Sequence, residues 1–256
     1  MGHEELPRTE YVEAPPARFL QAVRRTAAVA LRLWYDVRVH GSQHLPTTGP
    51  VILACNHIGL LDGPLLTAFA ARPVHALVKR EMFVGFTGQV LRAAGQISIE
   101  RSSIDPYAIK QTLRVLRDGR VVAIYPEGTR GRGDVAHSRL GAAYFAMVTG
   151  AVVIPVAQLG TRTFDSSVHS VAPRSSRVDL VFGPELRTAA PVVPWPRRRA
   201  EVSDLAEDLR IGLARHVHDS VLMTGQRLPG VPPDVEVDAD GRRGPEVGPE
   251  AGEQAS

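Results

Sequence analysis

Short, mostly apolar runs recur along the chain, separated by stretches with helical spacing, and this alternation constrains the fold more than any other feature. Val51–Cys55, Ile97–Ile99, Val121–Tyr125, Ala151–Val156 and Val178–Phe182 read as strands, and so do His75–Val78 and Tyr35–His40. Pro106–Asp118 reads as a helix stopped by Gly119, Gly141–Val148 as another, and Val202–Met223 as a long one. After Val51–Cys55, Asp62-Gly63-Pro64 looks like a helix start, with Asp62 as N-cap and Pro64 in the first turn. Strands that alternate with helices run parallel, because a parallel pair needs a crossover connection that a hairpin cannot supply. The expected fold class is therefore a layered α/β domain with a largely parallel sheet.

One core fits the 256 residues, of which 44% are hydrophobic and 22% charged. That domain is expected over residues 17–228. Residues 1–16 are polar, acidic and proline-bearing and read as a disordered terminus without the basic start and apolar run of a secretory signal. Pro229–Ser256 carries seven acids and two bases, a net charge of −5 that leaves +8 on the rest, and reads as a disordered acidic tail. The basic body suits an anionic partner, whether phospholipid surface, phosphorylated substrate or nucleic acid. No recognisable nucleic-acid module or run of aromatics among the bases is present, and neither is a glycine-rich nucleotide loop or a paired-cysteine zinc motif. A single cysteine, Cys55, excludes an intramolecular disulfide and points to a reducing, cytoplasmic setting. The longest uncharged stretch, Leu140–Thr161, has the length to span a bilayer. Gly150 and Pro155 divide it, so a buried helix followed by a buried strand is expected instead.

Ahead of the first strand, Arg18–Trp34 has the pattern of an amphipathic basic helix. Phe19, Leu20, Val23, Ala27, Ala30 and Trp34 fall on one side, and Arg18, Gln21, Arg24, Arg25 and Arg32 on the other. Such a helix can lie on an anionic membrane or pack its apolar side on its own core, and both hold if the helix is shared.

Two polar constellations follow strand ends, where ligands bind in open α/β sheets. The first is Asn56-His57-Ile58-Gly59-Leu60-Leu61-Asp62. A carboxylate reaching back to the imidazole would fix its tautomer and leave the other nitrogen free to take a proton from a hydroxyl. The plain alternative is a helix cap beside a surface histidine. The second is Tyr125-Pro126-Glu127-Gly128-Thr129-Arg130-Gly131, which offers a carboxylate, backbone amides, a hydroxyl and a phosphate-binding guanidinium, or else is a polar turn with an exposed arginine. Gly95-Gln96-Ile97-Ser98-Ile99-Glu100-Arg101 could aim a second cation at the same crevice, and Val153-Ile154-Pro155-Val156 is an apolar wall.

The order and spacing of these four segments, over about residues 41–161, resemble the glycerolipid acyltransferase family, which includes the 1-acyl-glycerol-3-phosphate acyltransferases. That family shows Asn-His-x4-Asp, Gly-x-Ile-x-Ile-x-Arg, Phe-Pro-Glu-Gly-Thr-Arg-Ser and an apolar proline-bearing block. The resemblance implies that His57 and Asp62 are the catalytic pair, with Asn56 in support. It implies that Glu127, Gly128, Thr129 and Arg130 form the acceptor site, Arg130 on its phosphate, assisted by Arg101. Lys79, in Lys-Arg-Glu-Met-Phe, matches a basic position of the family, and Arg139-Leu140-Gly141 stands where Arg-x-Gly is common. Gly59 and Gly131 replace two usual serines, and Tyr125 replaces a phenylalanine.

The implied reaction is transfer from acyl-CoA or acyl carrier protein, as co-substrate, to a lysophospholipid hydroxyl, giving phosphatidic acid, with no metal and no other cofactor. The implied setting is peripheral, on an anionic membrane at the inner face of the plasma membrane, with no nucleic-acid partner. Open alternatives are another acceptor, such as glycerol phosphate, a different lysophospholipid or a glycolipid, and a non-catalytic membrane-binding module of the same fold. Cys55, beside His57, raises a further rival as a histidine-activated thiol nucleophile.

Overall fold

In a computed structural model, described over residues 6–16 and 18–230, seven strands form one sheet. The strands are β1 Asp36–His40, β2 Val51–Cys55, β3 Val74–Lys79, β4 Ile97–Ile99, β5 Val121–Ile124, β6 Val152–Leu159 and β7 Arg177–Phe182. The helices are α1 Arg18–Trp34, α2 Asp62–Phe69, α3 Gly85–Ala93, α4 Pro106–Arg117, α5 Gly141–Thr149 and α6 Arg199–Thr224. The sheet order is β1-β7-β6-β2-β5-β3-β4. Every neighbouring pair is parallel except β6 with β7.

Helices cover both faces. Ile52, Ala54, Val122 and Val153 pack with residues of α4, α5 and α6. Val51, Leu53, Cys55, Ala123 and Ile154 pack on the other face with Leu65 and Leu66 of α2 and Leu31 of α1. With both faces buried, central strands need apolar residues at every position, which is why β2 and β5 read as unbroken runs rather than alternating ones. The uncharged stretch Leu140–Thr161 resolves into buried α5 and buried β6.

α1 follows Pro16, whose carbonyl lies against Gly95 just before the edge strand β4, and ends at the other edge beside β1. Its 17 residues span about 26 Å at about 1.5 Å each, close to the roughly 29 Å across seven strands. It packs on α2 with part of its basic side: Arg24 Nε donates to the Thr67 carbonyl at 3.1 Å, and the guanidinium also donates to the Ala70 carbonyl. Those carbonyls close the C-terminal end of α2, where orphan acceptors and the helix dipole both favour a cation. Val29, Leu33 and Trp34 are meanwhile exposed.

Three expectations change. Residues 6–16 form no helix or strand, yet they are not loose. Thr9 and Val12 are buried, Arg117 donates to the Pro7 carbonyl at 2.8 Å and to the Thr9 hydroxyl at 2.9 Å, and Arg120 donates to the Pro15 carbonyl at 2.8 Å. Arginines thus satisfy carbonyls that have no ladder partner, which composition does not register. Residues 1–5 of the expected disordered terminus, and residues 231–256 of the tail, lie outside the described residues. Secondly, α3 has no counterpart in the sequence pattern, because Gly85 and Gly88 break its helical signal. Thirdly, Asp62 is the first residue of α2 and not its cap; Leu61 holds the cap position without a side-chain bond.

Candidate active site

Strands β2, β5, β3 and β4 are neighbours and parallel, so the turns that follow them leave the sheet at one rim. This places the His57 loop, the 126–133 turn, Lys79 and Arg101 side by side. β6, parallel to β2 on its other flank, brings Gln158 and Thr161 to the same rim.

Asn56 locks the base of the site. Its amide oxygen accepts from the Gln158 amide at 2.7 Å, and its Nδ2 donates to the carbonyls of Gln158 at 3.1 Å and Gly133 at 3.4 Å. The side chain thus extends the β2–β6 ladder by one residue and ties it to the turn after β5. His57 comes next, with its backbone clamped from both sides. Its amide donates to Glu127 Oε1 at 2.9 Å, and its carbonyl accepts from the Gly131 amide at 2.9 Å.

The Asp62 carboxylate is fully buried and turned back over the loop. Its Oδ2 accepts from His57 Nδ1 at 2.7 Å, from the Ile58 amide at 2.7 Å and from the Gly59 amide at 2.9 Å. Its Oδ1 accepts from the Thr161 hydroxyl. Gln158 Nε2 donates to the Asp62 carbonyl at 2.7 Å. The five-residue spacing works because the carboxylate closes a tight loop, not because the two residues share a helix face. A serine at Gly59 would crowd this arrangement, since a Cβ there would stand 3.0 Å from the Thr161 carbonyl oxygen and 3.1 Å from its hydroxyl. The glycine makes room for the Thr161 hydroxyl on Asp62.

The His57 ring is tilted 33° on Tyr125 with centroids 4.3 Å apart. Burial lowers the imidazole pKa; Asp62 pulls it up, and the charges of Arg130 and Arg101 push it further down. The net effect is downward, so the ring is neutral and able to accept a proton near neutral pH. Burial also lowers the Arg130 pKa, against the attraction of Asp62. Arg130 Nε is buried without a hydrogen-bond partner among the described residues. Arg101 donates to the Gly128 carbonyl at 2.8 Å, and the Arg139 amide donates to the Pro126 carbonyl at 2.8 Å. Gly128 sits at φ 77°, and a Cβ there would fall 2.4 Å from Arg139 Nε, so this turn requires glycine. Thr129, next in the turn, is half-buried. Lys79 stands at the same rim, 3.6 Å from Glu81.

Glu127, expected on the acceptor, directs one oxygen to the His57 amide and so fixes the backbone that carries the imidazole. Thr161, Gln158 and Arg162 carry no motif signal yet belong to the site; Arg162 donates to the Gly131 carbonyl at 2.9 Å. A usable hint was Gln158, a polar residue inside an otherwise apolar strand. Cys55 is buried in the core with its thiol toward the Leu53 carbonyl at 3.6 Å. Burial, with Asp62 adding, pushes its pKa well up, which removes the thiolate that the nucleophile rival needs.

A family model described as acyltransferase matches residues 36–158. The chain is 32% identical over 152 residues to the 1-acyl-sn-glycerol-3-phosphate acyltransferase of Borreliella burgdorferi, covering 57% of this chain and 61% of that protein. It is 31% identical over 134 residues to the enzyme of the same name from Bacillus subtilis, covering 52% and 67%. The chain therefore spans about two thirds or less of the length of these relatives. Its fold is similar to the crystal structure of the 1-acyl-sn-glycerophosphate (LPA) acyltransferase PlsC from Thermotoga maritima. The TM-score is 0.60 at 22% identity, over 80% of this chain and 79% of that one.

Proposed function

Because the chain belongs to the acyltransferase family, we propose that it moves a fatty acyl group from a thioester of coenzyme A or acyl carrier protein to the free hydroxyl of 1-acyl-glycerol-3-phosphate, giving phosphatidic acid for phospholipid biosynthesis. The observation that carries this reading is the His57–Asp62 pair, set at the same rim as Arg130 and Arg101.

With Nδ1–H donating to Asp62, His57 Nε2 carries the lone pair. The acceptor hydroxyl attacks the thioester carbonyl carbon while its proton passes to Nε2. Collapse breaks the C–S bond, and the imidazolium returns the proton to the departing thiolate. Asp62, already aligned by two amides and a hydroxyl, stabilises the imidazolium without having to move. Arg130 and Arg101 bind the acceptor phosphate, for which a planar guanidinium is well shaped.

The acceptor is a lipid, and no helix among the described residues is long and apolar enough to cross a membrane. The chain meets its acceptor at the surface of an anionic bilayer, and the proposed location is the inner face of the plasma membrane. α1 supports this reading, since it exposes Val29, Leu33 and Trp34 together with Arg25 and Arg32.

The test is acyl transfer by the purified chain to lysophosphatidate, other lysophospholipids, a glycolipid and glycerol phosphate, with acyl-CoA and acyl carrier protein as donors. Transfer to lysophosphatidate above the other acceptors is expected. Absence of transfer to every acceptor by a folded protein would leave only the membrane-binding module.

A further inference from the structure

α3 buries little and exposes much. Of its nine residues only Gly88 is buried. Phe86 is 80% exposed, Val84 at its cap 67%, Val90 one turn on 42%, and Met82 in the preceding short 3-10 turn 38%. Four large apolar side chains within nine residues thus face water on one knuckle, which an isolated surface leucine or valine does not resemble.

Its surroundings say what the knuckle touches. From Met82 to Ile99 the sequence holds no acid, and Arg92 is its only charged residue. Lys79 and Arg80 precede it, paired with Glu81 and Asp105. The chain enters the knuckle from the end of β3, at the rim that carries His57. Steps from β2 to β3 and from β3 to β4 run the same way along the sheet, so right-handed crossovers put α3 on the side of α2, and hence of α1. Pro16, which leads into α1, lies against Gly95 directly after α3. Two elements on one face, α1 and α3, therefore expose apolar side chains beside cations. A lipid surface can engage both at once.

We propose that residues 82–90 form a lipid-inserting knuckle, separate from α1, in which Phe86 and its apolar neighbours enter the bilayer and hold the His57 rim against the surface that contains the acceptor. The inference rests on the lipid acceptor proposed above. Insertion is shallow, as expected for a short amphipathic element with a large aromatic at its exposed end.

The full chain is sedimented with vesicles of phosphatidylcholine, with and without phosphatidylglycerol, and compared with Phe86→Ser/Val90→Ser and Phe86→Trp variants. Burial of a phenylalanine from water is large enough that the double variant should bind about tenfold more weakly or worse. Phe86→Trp should bind as well as the native chain. Turnover on a short-chain lysophosphatidate kept below its micellar concentration should be unchanged in the double variant. Turnover on vesicle-embedded acceptor should fall in step with binding. Unchanged vesicle binding and vesicle turnover in a folded double variant would overturn the proposal. So would a native dimer that the same substitutions convert to monomer, because the patch would then cover a second copy. If the native chain acylates neither the soluble nor the vesicle-embedded acceptor yet loses vesicle binding with Phe86, the knuckle stands and the acyl-transfer reading falls.

Discussion

Two histidine–aspartate pairs lie among the described residues, and at the level of distance they are hard to tell apart. His57 Nδ1 is 2.7 Å from Asp62, and His40 Nε2 is 2.8 Å from Asp179; both carboxylates are fully buried. What differs is the rest of each carboxylate's company. Asp179 also holds Arg177 at 2.8 Å and the Gln226 amide at 3.1 Å. Burial alone would raise its pKa, but hydrogen bonds from His40, Arg177 and Gln226 outweigh burial and lower it. A permanent cation already balances its charge. Asp62 receives only amides and a hydroxyl besides the imidazole, so its charge is left for an imidazolium formed at His57. The His57 side chain is 11% exposed and under the influence of two arginines, whereas that of His40 is 35% exposed. The two pairs thus differ in what else the acid bonds: Asp179 holds a fixed cation directly, and Asp62 holds only neutral donors besides the imidazole.

The sharpest way to break this comparison is to remove each histidine. His57→Ala should lower the transfer rate by at least ~10², the scale of a lost general base. It too takes a partner from a buried carboxylate, so it should stay folded with a stability loss of about 1–3 kcal/mol. His40→Ala should leave the rate within about twofold, while loss of a partner to a buried carboxylate costs about 1–3 kcal/mol of stability. Equal kinetic losses in the two variants would refute the distinction. Asp62→Asn and Asp179→Asn should divide the same way, the first in turnover and the second in melting temperature.

Arg130→Gln comes next in size. One charge-assisted hydrogen bond to a phosphate contributes about 1.5–3 kcal/mol, so acceptor KM should rise roughly tenfold to a hundredfold, with donor KM close to native. A rise in donor KM alone would move Arg130 to the phosphates of the coenzyme. The same variant sharpens the electrostatic half of the comparison. Neutral imidazole is the working form, so activity holds at higher pH and is lost as pH falls through the depressed His57 pKa. The acid limb of kcat/KM should lie below about 6.5, the ordinary histidine value, and should move up toward it when the Arg130 charge is removed.

Thr161→Val should be milder. It leaves Asp62 Oδ1 without its hydroxyl donor, so kcat should fall about tenfold, matching a loss of order 1 kcal/mol, with both KM values retained. Thr161→Ser should recover most of the rate. Full activity in the valine variant would mean that the two backbone amides suffice to orient Asp62. Smallest of all, Cys55→Ala should leave turnover unchanged and lower stability modestly, because a small buried side chain is lost. A dead but stable variant would revive the thiol.

Local chemistry made much of this protein legible in its sequence. Apolar strands buried on both faces leave a continuous signal, and β2 begins and ends where its run of residues does. The Asn56-His57 and Asp62 spacing is a loop of seven residues, so its geometry is local too. The order of the sheet is not local, and neither are the hydrogen bonds that finish the site. Thr161 meets Asp62 across 99 positions, Asn56 meets Gln158 across 102, and Glu127 meets the His57 amide across 70. His40 finds Asp179 across 139 positions only because β1 and β7 pair. No spacing rule reaches that far, since the partner of each polar group is chosen by which strands become neighbours. The sequence by itself determined the layered, mostly parallel architecture and the contact of His57 with Asp62. Tertiary structure alone decided that Glu127 bonds the His57 amide, that Thr161 bonds Asp62, that residues 6–16 are bound by arginines, and that α3 leaves Phe86 and its apolar neighbours uncovered.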